Sequence, residues 1–196
     1  MSRSSLQAVI FDLDGTLTRP YLNFRAIQAA IGVAEPLLES MLALPPGPAR
    51  DRAFGILEGF EAEAAEASEL NVGARDVLAQ LRERAIPTAV LTRNSRRSTE
   101  RVLRKHGLQV EVCLTRDDAP AKPRPEPLWM ICERFGVLPA QALMVGDFKF
   151  DILAGRNAGT RTALLTHGTS PAYLEEIRPD HLLERLEDLL ALFPAD

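Results

Sequence analysis

The chain has 196 residues, 46% of them hydrophobic and 26% charged, with a formal net charge of −4 at pH 7. These values suit one globular domain with a real core and room for a small insertion, and they argue against nucleic acid as the main partner, which usually needs a basic excess. The polar opening "MSRSSLQ" lacks a signal-peptide core and no apolar run nears the roughly 18 residues of a membrane span, so a cytoplasmic protein with no membrane partner is expected.

In chain order, the first element is an apolar, strand-like run, "AVIFDLD", that ends in Asp12 and Asp14 and runs at once into Gly15-Thr16. About 55 residues then precede "GARDVL", far beyond an ordinary loop. They read as three helices: "NFRAIQAAIG", "EPLLESMLAL" and, after a Pro-rich break, "PARDRAFGILEGFEAEAAEASEL". In the third, Phe54, Leu57 and Phe60 share a side, and the acidic run that follows reads as a solvated face. This insertion leaves beside the paired aspartates and is a candidate lid, with Arg25, Arg50 and Arg52 as its basic side chains, read mainly as solvated or ion-paired.

Helix and strand patterns then alternate. "GARDVLAQLRERA" carries one apolar stripe, and "TAVLTR" closes on Thr92 and Arg93, with Asn94 next. The helix "NSRRSTERVLRKHG" is capped by Asn94 or Ser95, with capping taken as the first role of Asn94, and stops at Gly107. After the strand "VEVCLT", Lys122 lies on the loop "AKPRPEP"; then come the helix "PLWMICERFG", the strand "ALMVGD" ending in Asp147, the helix "FDILAGRNAG" with Asp151 in its first turn, and the strand "RTALLT" before His167, read as a loop residue. None of the strand runs alternates cleanly, so they are expected to be buried on both faces, as in a parallel sheet. Strand–helix alternation of this length builds a Rossmann-like, doubly wound α/β core over 1–17 and 73–196, with a small helical cap over 18–72. Cys113 and Cys132 belong to no C-x-x-C or Cys/His cluster and read as reduced packing residues.

In such a sheet the ligand crevice lies beyond the carboxyl ends of the strands. Asp12, Asp14, Asp147, Asp151 and Lys122 should therefore converge on one rim. A cluster of carboxylate oxygens suits a hard divalent ion, most simply Mg²⁺. The lysine, the Thr92 hydroxyl and free N–H groups at the following helix start would receive an anion, which together suits phosphoryl transfer.

These stretches resemble the haloacid dehalogenase superfamily of aspartate-nucleophile phosphatases, in particular phosphoglycolate-phosphatase-like hydrolases with a reduced helical cap. "DLDGT" matches the first motif, "LTRN" the second, "KPRP" the third and "GDFKFD" the fourth, in order and across the sheet domain. The resemblance implies that Asp12 is the nucleophile, forming an aspartyl-phosphate, and that Asp14 is the acid–base residue. It implies that Thr92 and Lys122 hold phosphoryl oxygens, with Arg93 and Asn94 beside them. It also implies Mg²⁺ on Asp12, the Asp14 carbonyl and Asp147, with Asp151 in or behind that shell. The implied substrate is a small phosphorylated metabolite; a monomer or weak dimer is expected. Two alternatives stay open at this point: a phosphomutase of the β-phosphoglucomutase type, and a non-hydrolytic phosphoacceptor or binding module.

Overall fold

The computed structural model describes residues 5–193; residues 1–4 of the polar opening and 194–196 of the expected core lie outside the described residues. The strands are β1 (Ala8–Phe11), β2 (Thr88–Leu91), β3 (Val112–Leu114), β4 (Ala142–Gly146), β5 (Arg161–Leu165) and β6 (His181–Leu183). The helices are α1 (Phe24–Ile31), α2 (Leu37–Ala43), α3 (Pro48–Ala67), α4 (Ala74–Glu83), α5 (Arg96–His106), α6 (Glu126–Phe135) and α7 (Lys149–Ala158). All six strands pair in parallel in the order β3-β2-β1-β4-β5-β6. This is the doubly wound, Rossmann-like α/β architecture expected from the sequence, extended by the edge strand β6, in which only Leu183 is buried, so that no apolar run announces it.

Alternate residues of each central strand feed opposite faces, as the period of two requires. Val9, Phe11, Leu143 and Val145 pack with Val77 and Leu81 of α4, Val102 of α5 and Leu186 and Leu189 near the C-terminus. Ala8, Ile10, Ala142 and Met144 pack on the other side with Leu128 and Ile131 of α6 and Ala154 and Ala158 of α7. Both faces are dry, which explains why the strand sequences are apolar throughout. Ser95, not Asn94, caps α5: its hydroxyl accepts the Ser98 N–H at 3.3 Å. Cys132 is buried in the second of these clusters and Cys113 lies partly buried against the first, both as free thiols.

Between β1 and α4 the chain makes α1, α2 and α3, which enclose a small core of their own: Ile27, Leu37, Leu38, Met41, Ala53 and Leu57, with Phe54 and Phe60 packed at its edge. The two connecting segments run side by side. Thr18 bridges Leu70, the Arg19 N–H donates to Glu69 O at 2.9 Å, and the Asn71 N–H donates to Leu17 O at 2.9 Å. Helix α3 is bound along α5, where the Ser98 hydroxyl donates to Glu61 O at 3.0 Å and Lys105 Nζ donates to Ser68 O at 2.7 Å. The acidic run of α3 is therefore not a uniformly solvated face, because Glu61 is only 1% exposed. No helix among the described residues is long and apolar enough to cross a membrane.

Candidate active site

Sheet order changes direction between β1 and β4, and a cleft opens where neighbouring connections leave to opposite faces. Asp12 and Asp147 follow these two strands directly, and the Asp12 N–H donates to Val145 O at 2.8 Å, fixing their relative height. Lys122 Nζ lies 2.5 Å from Asp12 Oδ1 and 2.6 Å from Asp151 Oδ1, and its side chain is 2% exposed. The second oxygen of Asp151 accepts the Phe148 N–H at 3.1 Å, so this carboxylate braces both the lysine and the start of α7. Two glycines permit the crowding. A Cβ on Gly15, which sits at φ +89, would lie 2.2 Å from Asp147 Oδ2, and one on Gly146 would lie 2.1 Å from Asp151 Cγ.

Crowded acids in a dry site resist ionisation. Burial pushes Asp12 up to about 6, even though the Lys122 ammonium pulls the other way. Burial, followed by repulsion from Asp12, pushes Asp14 up to about 7; the Tyr21 N–H opposes this and Glu61 adds to it. Asp147 is pushed up to about 8 by burial and then by the charges of Asp12 and Asp151. Burial works against the Lys122 charge, but Asp12 and Asp151 outweigh it and hold the ammonium above the ordinary lysine range.

The donor set fits a divalent metal. Ligand oxygens of Asp12, Asp147 and Asp151 all lie within 4.8 Å of one another, and they are hard carboxylate oxygens of the kind Mg²⁺ takes. The Thr16 hydroxyl orients Asp147 by donating to its Oδ1 at 3.4 Å.

Above the carboxylates lies a cavity of about 780 Å³, lined by Asp12, Asp14, Thr92, Arg93, Asn94 and Lys122 on the sheet side and by residues of α1, α2 and α3 on the other. All the sequence-selected site residues thus reach one cleft, but not all are free. Thr92 Oγ1 accepts the Asn94 N–H at 3.2 Å, which leaves its own proton to donate. Arg93 is committed across the cleft to Glu39 of α2, at 3.0 and 2.9 Å, and stacks over Phe150 at 4.5 Å. Three of the N–H groups expected to be free at the start of α5 are taken: Ser95 N donates to Glu61 Oε2 at 3.1 Å, Arg96 N to Asp117 Oδ2 at 2.7 Å and Ser98 N to Ser95 Oγ at 3.3 Å. Arg25 lines the cavity; Arg50 and Arg52 do not.

Sequence reasoning passes over several supporting residues. Glu61 also pairs with Arg116, a side chain 6% exposed, and this buried pair ties α3 to the segment after β3. Asn71 Nδ2 donates to the carbonyls of Gly15, Thr16 and Thr18 at 3.0, 2.7 and 3.0 Å, holding the turn after Asp14. His167 Nε2 donates to Gly15 O at 2.8 Å, and the Tyr173 hydroxyl donates to Asp147 O at 3.2 Å. His167 is therefore a loop residue that buttresses the aspartate turn.

Comparison with known proteins agrees with this construction. Residues 38–159 match the family model described as a haloacid dehalogenase-like hydrolase. An uncharacterized hydrolase of Saccharomyces cerevisiae is 30% identical over 95% of this chain and 90% of its own length. The pyrophosphatase PpaX of Bacillus pumilus is 30% identical over the full length of both chains. Among solved structures, a hydrolase from Pseudomonas syringae superposes with a TM-score of 0.78 at 23% identity, covering 94% of this chain and 96% of its own. A predicted phosphoglycolate phosphatase from Haemophilus somnus does so with 0.75 at 22%, covering 96% and 98%. With its matched sequence, its parallel sheet and its carboxylates gathered at the β1–β4 cleft, the chain belongs to the haloacid dehalogenase-like hydrolase family.

Proposed function

We propose that this hydrolase is a Mg²⁺-dependent phosphatase that cleaves a small organic phosphomonoester through an aspartyl-phosphate on Asp12. The observation that carries the reading is the buried Lys122 ammonium bridging Asp12 and Asp151, with Asp147 in the same cluster and Asp14 beside it. The phosphatase names among its relatives agree with it. Residues 18–72 serve as a cap that closes over the cleft, and 1–17 with 73–196 form the catalytic core.

Asp12, Asp147 and the Asp14 carbonyl would hold the ion, with Asp151 behind them. When bound, Mg²⁺ supplies positive charge that offsets repulsion between the attacking carboxylate and the phosphoryl group. The Lys122 ammonium steadies Asp12 and meets a phosphoryl oxygen, while the free Thr92 hydroxyl proton donates to another. One oxygen of Asp12 attacks phosphorus as the ester oxygen leaves. Asp14 has an acidity near neutrality, so it can hold a proton for the departing alcohol and then withdraw one from the water that opens the acyl phosphate. This acid–base group favours turnover over simple phosphate acceptance.

The test is phosphate release from para-nitrophenyl phosphate and a panel of alkyl phosphates, with and without Mg²⁺. Wild type should release phosphate only with the metal, and Asp12→Asn should release none above background. Equal release by the two proteins would refute the nucleophile assignment.

A further inference from the structure

The cavity above the carboxylates is far from uniformly polar. Beyond the phosphate end its walls are Leu22, just before α1, and Leu37, Leu38 and Leu57 on α2 and α3, with the rings of Phe24 and Phe148 also lining it. Phe24 opens α1 and is 53% exposed; Phe148 follows Asp147 on the sheet side and is 46% exposed. Both rings line the same cavity, so together with the leucines they form an apolar patch that a ligand can cover. Phe148 does not swing freely. It meets Phe150 edge-on at 5.3 Å and Tyr173 edge-on at 5.8 Å. Phe150 in turn carries the Arg93 guanidinium at 4.5 Å, itself held by Glu39. The sheet-side ring is therefore braced by neighbours, with a free surface left toward the cavity.

We infer that the substrate is a phosphomonoester whose alcohol half carries an aromatic ring, seated between Phe24 and Phe148 against the leucine wall. This rests on the phosphatase reading and narrows it. A two- or three-carbon ester would leave these apolar side chains facing water. A ring attached one carbon from the phosphate oxygen displaces that water and stacks in offset or edge-on fashion on the aromatics present.

The experiment compares benzyl phosphate with propyl phosphate, both esters of unactivated alcohols, so that leaving-group acidity does not set the outcome. In wild type kcat/KM should favour benzyl phosphate by about tenfold to a hundredfold, the range that burying one phenyl group supplies. Phe24→Ala and Phe148→Ala should each lower that ratio about three- to tenfold, and Phe24→Tyr should restore it. In parallel, the non-hydrolysable benzylphosphonate and propylphosphonate are titrated by thermal shift with Mg²⁺ present. Benzylphosphonate should protect at a tenfold lower concentration. A kcat/KM ratio and a phosphonate ratio both near one, with both esters turned over, would overturn the aromatic assignment and leave the phosphatase reading standing. Preferential benzylphosphonate binding without turnover of either ester would do the reverse. A clear preference that neither alanine substitution moves would also overturn the proposed seat.

Discussion

Removing the Lys122 ammonium tests the electrostatics of the site directly. In Lys122→Met the packing volume is kept, but Asp12 and Asp151 lose a cation that stands 2.5 and 2.6 Å away in a site where the lysine is 2% exposed. Breaking a buried pair in this way costs about 3–5 kcal/mol at neutral pH. The loss must also depend on pH. Asp12 is already pushed up to about 6 by burial with the lysine in place, against the pull of that ammonium. Without it the folded-state value climbs further above the unfolded value near 3.9. A carboxyl group with a raised folded-state pKa keeps a proton that the unfolded chain has released, so stability declines as pH rises until the folded pKa is passed. In wild type the Asp12 part of this decline ends near pH 6, whereas in the variant it continues, at about 1.4 kcal/mol per pH unit for one retained proton. The gap between them should therefore widen above pH 6, by at most about 1.4 kcal/mol per pH unit for each proton that the variant retains. Urea unfolding of both proteins in EDTA, at unit steps from pH 5 to pH 8, measures it. A gap that stays constant over that range would mean that Lys122 contributes packing rather than charge, and the electrostatic account of the site would be wrong.

Two further substitutions separate chemistry from architecture. Asp14→Asn should lower kcat by about 10²–10⁴-fold while the protein stays folded, because it removes the proton carrier and relieves a carboxyl group pushed up to about 7. The fall in wild-type kcat/KM above about pH 7, where Asp14 loses its proton, should vanish from the variant's profile; a variant within threefold of wild type would remove Asp14 from the acid–base role. Glu61→Ala strands Arg116 in a site where the two side chains are 1% and 6% exposed, and should cost about 3–5 kcal/mol in denaturant melts. The double variant Glu61→Leu/Arg116→Leu should recover most of that loss, and a double variant as weak as the single would show that the pair is not the source of the cost.

How much of this could be read in advance depends on the range of the contacts involved. The strand runs and the acids at their ends were legible because a parallel strand is apolar along its length and breaks into polarity only at its tip, as at Phe11–Asp12 and Gly146–Asp147. Asp151 was legible as a helix-start acid, but not its brace on Lys122, which spans 29 residues. The acidic run of α3 misled, although spacing held a clue: Glu61 lies four residues after buried Leu57 and four before buried Ala65, on the helix's inner stripe. Nothing local could disclose that its partner is Arg116 or that it takes the Ser95 N–H. The reassignment of Arg93 has the same origin, since Glu39 is 54 residues distant in sequence.

The site's charge balance is costly for a turn that merely happens to contain acids. One lysine faces the carboxylates of Asp12, Asp147 and Asp151, and Asp12 and Asp147 are pushed up to about 6 and 8. A fold needing only a tight connection after β1 would meet that need with Gly15 and the three carbonyl bonds from Asn71, and would gain stability by replacing the acids with neutral residues. The chain instead brings the acids together through glycines that admit no side chain, Gly15 against Asp147 and Gly146 against Asp151. An arrangement that destabilises the cation-free protein is understandable if a bound cation and a phosphoryl group complete it. The electrostatic strain at the β1–β4 cleft is thus the strongest physical reason to place the chemistry there.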